Sequence, residues 1–176
     1  MLPEFSRLPL RCLSSGDGFA FYAWNSILLI FNTSQGSEVF FDGFEQALDE
    51  HLKNNPDGIC MYSLYRLERI TSQPSAEVRA RSAELLKRVD PFLRANAMIF
   101  DVRGMTGAII RTFVSGIFLL NRSRVESKVF EDPADGLAWL RDLDPPVPEL
   151  VDNFDAFCVT VLEEADHVLG PSPRNR

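Results

Sequence analysis

The stretch from Ala95 to Arg122, ANAMIFDVRGMTGAIIRTFVSGIFLLNR, limits what the rest of the chain can build. Ala97, Met98, Ile99 and Phe100 form a short continuous apolar run that stops at Asp101, the pattern of a strand covered on both faces of a parallel sheet. The spacing predicts a helix from near Thr106, and from Ala108 to Leu120 only Arg111, Thr112, Ser115 and Gly116 interrupt the apolar residues. A helix of that kind has to be covered by protein on nearly all sides. A strand that passes through a glycine-bearing turn into such a helix is half of a βαβ unit, so the segment predicts an α/β sheet.

The other elements follow in order. Phe19 to Trp24 and Ile27 to Phe31 are aromatic and β-branched runs separated by Asn25-Ser26, which predicts an N-terminal β-hairpin, while Met1 to Ser15 reads as an extended lead-in. Glu38 to Lys53 spaces Val39, Phe40, Phe44, Ala47, Leu48 and Leu52 as one face of an amphipathic helix, ended by Asn54-Asn55-Pro56-Asp57-Gly58. Ile59 to Leu67 is a strand. Pro74 suits the first turn of a helix whose apolar stripe is Val78, Ser82, Leu85, Val89 and Phe92. Glu126 to Phe130 is a last short strand, and Asp132-Pro133 opens a helix that Asp144-Pro145-Pro146 stops. Right-handed crossovers between these pieces give a mostly parallel sheet of four or five strands with helices packed on it.

Composition sets the outer limits. A chain of 176 residues that is 45% hydrophobic buries a sizeable core and fits one domain, here residues 1–145, with an appended helix at 146–169 and a loose tail at 170–176. A formal charge of -7 argues against nucleic acid as a partner. The charge is uneven, because Arg66 to Lys128 holds 12 Lys/Arg against 6 Asp/Glu while the rest is strongly acidic. That asymmetry either steers an acidic partner or lets the ends of the chain pack against the middle. Cys12, Cys60 and Cys158 are far apart and read as reduced thiols, and two histidines without paired cysteines give no zinc pattern. No apolar run is long enough for stable membrane insertion, and the expected location is the cytoplasm.

Candidate chemistry is sparse. Gly104, Thr106 and Gly107 precede a helix whose free N–H groups can hold a phosphate or carboxylate, with Arg103 and Arg111 nearby, although a turn capped by Thr106 explains the same residues. Arg111 inside an apolar helix needs an anionic partner, for which Asp101 is a candidate, or has to reach solvent. The carboxylate pairs Asp49-Glu50, Asp152 with Asp155, and Glu163-Glu164 read as solvated helix faces, and His51 as an exposed helix end, so no catalytic residue is assigned and no cofactor is expected. An enzyme would need Asp101, Arg111 or Tyr65 to converge in a pocket. The polar segment LERITSQ after Leu67's strand lies where open α/β sheets bind ligands.

The order of elements, DVRGMTGAIIRTFVSGIFLL and the closing KVFEDPADGLAWL, with Val129-Phe130, Asp132 and Ala138-Trp139-Leu140, resembles the STAS-like superfamily of bacterial anti-sigma-factor antagonists, in particular its small single-domain members. The similarity covers roughly Gly18 to Leu143. It implies a non-enzymatic regulatory or scaffolding module that binds a protein partner, and some relatives of the fold bind lipids or nucleotides. Regulatory members carry a phosphorylatable Ser after an Asp at the helix start. This chain has Asp101-Val102-Arg103-Gly104-Met105-Thr106-Gly107 there, so phosphorylation control is not carried over.

Beyond Asp144-Pro145-Pro146, Glu149 to Leu169 sets Val151, Phe154, Cys158, Val161, Ala165 and Val168 at alternating three- and four-residue steps. A stripe that wide has to dock. It either closes over its own sheet or meets a partner or second copy, in which case Val151, Phe154, Cys158, Val161 and Val168 form the interface of a homodimer. The function expected is protein–protein interaction. The alternative is a site for a small anionic or lipid ligand at the strand ends near Arg103 and Arg111.

Overall fold

The computed structural model describes residues 7–33, 36–66, 75–101 and 125–172. Six strands lie side by side in chain order: β1 (Arg11–Gly16), β2 (Phe19–Trp24), β3 (Ile27–Asn32), β4 (Ile59–Tyr65), β5 (Leu93–Phe100) and β6 (Glu126–Phe130). The pairs β1–β2 and β2–β3 are antiparallel, and β3 through β6 run parallel. The sheet therefore has six strands where four or five are expected, because the lead-in contains β1. Only Leu13 of RCLSSG is buried, and a bulge between Cys12 and Ser14 breaks its register with β2. An edge strand wet on most of its surface leaves no apolar alternation to read.

The central strands carry apolar side chains on both faces, and each face has its own core. On one, Phe19, Phe21, Leu28, Ile30 and Met61 meet helix α1 (Glu38–Asn54) and helix α2 (Ala76–Val89). Both helices start where the sequence supplies a cap: the Ser37 hydroxyl accepts from the Phe40 N–H and the Ser75 hydroxyl from the Val78 N–H. Gly43 lets α1 come close, since a Cβ there would sit 3.0 Å from the Ser14 hydroxyl and 3.3 Å from the Phe21 ring. Acidic α1 faces basic α2, with Arg81 paired to Asp42 and Glu45 and Arg88 to Asp49. Part of the charge asymmetry is thus answered inside the chain. Phe92, expected in the stripe of α2, lies beyond Pro91 in a short 3-10 turn and is 41% exposed.

On the other face, Ile27, Leu29, Phe31, Tyr62, Leu64, Ala97 and Ile99 meet α3 (Pro133–Arg141), α4 (Pro148–Asp152) and α5 (Phe154–Leu169). The helix expected from Glu149 to Leu169 is two helices that part at Asn153. Phe157 lies against Trp24 with ring centroids 4.5 Å apart, and Phe157, Val161 and Ala165 are fully buried. Two such large side chains contribute about 3–6 kcal/mol by burial. The exposed Arg7–Glu163 ion pair beside them adds at most ~1 kcal/mol. Apolar packing therefore holds α5 on its own sheet. Among the described residues no helix is long and apolar enough to cross a membrane.

His51 departs from expectation. It sits in the last turn of α1 but is fully buried, with Nε2 lacking a well-formed hydrogen bond. Burial pushes its pKa below the ordinary value and the Arg11 guanidinium pushes the same way, while the Ser26 carbonyl and Glu50 oppose in part. A proton therefore binds the unfolded chain more readily than the folded one. Stability should be complete above the ordinary histidine range, near pH 6.5, and should fall as pH drops through the lowered folded value. Urea midpoints measured against pH should show that slope, and His51→Leu should flatten it. For the second core, Phe157→Ala should remove about 3–5 kcal/mol in chemical denaturation.

Candidate functional site

The parallel strands end together, and the residues just past them form a buried polar cluster. The register pairs Asn32 of β3 with Tyr65 of β4, and Tyr65 with Phe100 of β5, so Arg66 and Asp101 leave neighbouring strands side by side. The Arg66 N–H donates to the Asn32 carbonyl at 3.0 Å and the Asp101 N–H to the Tyr65 carbonyl at 2.9 Å, which carries the ladder one residue past the strands. Asn32, Arg66 and Asp101 are 1%, 6% and 0% exposed.

Arg66 Nε donates to Asp101 Oδ2 at 2.9 Å. Its Nη1 donates to Asp166 Oδ1 at 2.7 Å and to the Gly170 carbonyl. The Ser172 hydroxyl donates to Asp101 Oδ1 at 3.1 Å. The end of α5 and the turn after it thus close over the ends of β4 and β5. Gly170 makes the turn with φ of 75°, a conformation that glycine adopts without strain. One turn of strand below, the Tyr62 hydroxyl donates to the Pro133 carbonyl at 2.9 Å, and burial drives its pKa well above the ordinary phenol value.

A guanidinium offers five N–H donors and no acceptor, so this arrangement can bind anionic oxygens and pin chain segments together. The thiol of Cys158 is no thiolate source, because burial and then Asp155 raise its pKa to about 11. Among the described residues no group of three or more His, Cys, Asp or Glu is placed to hold a metal. An open groove lies elsewhere, on the outer side of α1, lined by Asp42, Glu45, Gln46, Asp49, Glu50 and Lys53.

The candidate anion residues Arg103, Gly104, Thr106, Gly107 and Arg111 lie outside the described residues, as does LERITSQ beyond Arg66. The candidate interface stripe is mostly used within the chain. Val161 is fully buried, so it belongs to the core and not to a partner surface; its face of α5 turns toward β2 and β3. Phe154, Cys158 and Val168 are half-buried against the same core, with Arg141 4.5 Å over the Phe154 ring. Val151 remains 47% exposed. Arg66, Asp166, Gly170 and Ser172 carry no local pattern that marks them. The available signal is positional: a cation and an anion each stand directly after a parallel strand.

No family model, curated protein or solved structure matches this chain.

Breaking a buried pair from one side leaves the other charge unpaired, whereas replacing both members with apolar groups is often neutral. Arg66→Leu should therefore destabilise by about 3–5 kcal/mol in urea unfolding. The double variant Arg66→Leu/Asp101→Leu should recover most of that loss.

Proposed function

We propose that this chain is a non-enzymatic regulatory or scaffolding module of STAS-like type that acts by binding protein, with self-association as its simplest form. The observation that carries the reading is that, among the described residues, the chain's own side chains and turn occupy the strand ends. Where an open α/β sheet offers a substrate its place, this chain sets its own Arg66–Asp101 pair and the turn after α5.

The residues of the STAS-like resemblance lend support by packing as one unit. Phe130 meets Trp139 at 5.7 Å between centroids, Lys128 lies 5.2 Å over the same indole, and Leu140 is fully buried behind them. On the outside of the C-terminal helices, Val151 and Val159 stay 47% and 37% exposed, apolar surface that the chain's own core does not use.

A second reading, a site for a small anionic or lipid ligand at the strand C-terminal ends, draws on Arg66, a nearly buried cation at that place.

Sedimentation velocity on the full chain over a wide concentration range tests the first reading. The expected result is a dimer that grows with concentration and weakens in Val151→Asp, while the circular dichroism of the variant is unchanged. A chain that remains monomeric throughout overturns self-association.

A further inference from the structure

We propose that the end of α5 and the turn after it, Asp166 to Ser172, form a plug bound in cis, and that the place it fills is an oxyanion site centred on Arg66, open to a phosphate or carboxylate group whenever the Asp166 carboxylate lets go. This rests on the strand-end reading and is independent of self-association, so either can fail alone.

Three contacts from one short segment converge on the buried pair. Asp166 and the Gly170 carbonyl both take Arg66 Nη1, and Ser172 takes the second oxygen of Asp101. The three are not equal in permanence. Asp101 is fully buried, whereas the Asp166 side chain is 47% exposed, so water can solvate its carboxylate as it departs. The outer contact is the exchangeable one.

Arg66 also keeps a donor in reserve. Its Nε and Nη1 are used, but among the described residues Nη2 finds no hydrogen-bond partner. A tetrahedral or planar anion placed where Asp166 now sits can take Nη1 and Nη2 together, the two-pronged geometry that guanidinium offers to phosphate and carboxylate. Asp166 bonds only Nη1.

Charge makes the exchange competitive. Asp101 and Asp166 both face the Arg66 guanidinium, so carboxylates already hold the place that a further anion would take. A further anion is repelled unless Asp166 leaves. Because Asp166 is tethered, its effective concentration at Arg66 is high, and a free anion meets weak apparent affinity until the tether is weakened.

The test is a titration of the full chain with inorganic phosphate, followed by the backbone amide signals of Asp166 to Ser172 and the Arg66 side-chain N–H signals in heteronuclear NMR. Sodium chloride at matched ionic strength is the control. Asp166→Asn keeps the size of the side chain and removes its charge. In it, phosphate should give saturable shifts at a concentration about tenfold or more below that needed by the natural chain, and acetate should act at the same signals if any carboxylate will serve. The shifts should vanish in Asp166→Asn/Arg66→Gln/Asp101→Asn, where an amide pair replaces the buried ion pair. Absence of saturable shifts in Asp166→Asn overturns the proposal, and so does their persistence in the triple variant. Should Asp166→Asn fail to fold, the natural chain decides: the same signals must move and saturate at high phosphate, and signals that stay still overturn the proposal.

Discussion

Strands β3, β4 and β5 carry apolar side chains on both of their faces, and everything else in the molecule answers that condition. Ile27 through Phe31 are all buried, and so are Ile59 through Leu64. A sheet like this cannot leave either face in water, because each exposed large side chain would forgo about 1.5–3 kcal/mol of burial. The chain therefore needs two helical layers. Strand order then decides which helices make which layer.

The parallel part of the sheet grows in one direction, β3 to β4 to β5, with a helix between each pair. Right-handed crossovers that always step the same way put their helices on the same side. Accordingly α1 and α2 share one core. Nothing inside β3–α1–β4–α2–β5 can reach the opposite face. That face waits for α3, α4 and α5, which arrive after the last strand and share the second core with Trp24, Tyr62 and Ile99. The C-terminal stripe thus has its place in the chain's own fold, and Gly136 shows how closely that layer is set. A Cβ at this position would stand 3.0 Å from the Ile99 side chain and 3.3 Å from the Tyr62 ring.

Periodicity carries the parts that obey one rule at a time. The hairpin of β2 and β3, the strand β4, and the helices α1 and α2 are legible because their apolar positions repeat with the spacing of their element and their ends hold Ser, Asn, Pro or Gly. The apolar run Ala97 to Phe100 falls within β5 as read, with Met98 half-buried. Strand β1 is lost because a wet edge imposes no alternation, and the break at Asn153 is lost because the stripe continues in phase across it. His51 shows a further limit. It follows Asp49 and Glu50 and looks solvated, yet it lies in phase with Phe44, Ala47 and Leu48, and the buried face of α1 simply extends one more turn. Arg66 is illegible for a different reason. Its partner Asp101 is 35 residues away, and they meet only because Tyr65 and Phe100 share a register that no local pattern reveals.

A buried ion pair at this place is poor as a source of stability and strong as a constraint. Taking two charges from water offsets most of what their attraction returns, but once both are buried neither can stand alone. Arg66 is anchored to the end of β5 through Asp101, and its outer N–H groups then donate to carboxylate and carbonyl oxygens. The segment that provides those oxygens is the end of α5, whose position is set independently by Phe157, Val161 and Ala165 on the sheet. Apolar packing brings the helix to the crevice, and the guanidinium selects which residues of its end are held. The two forces are separable: the first is insensitive to ions in solution, whereas the second involves a carboxylate half open to water. The second contact is the one that can open, because the Asp166 carboxylate can swing into water and the turn beyond Leu169 can part from Arg66 while the helix stays packed.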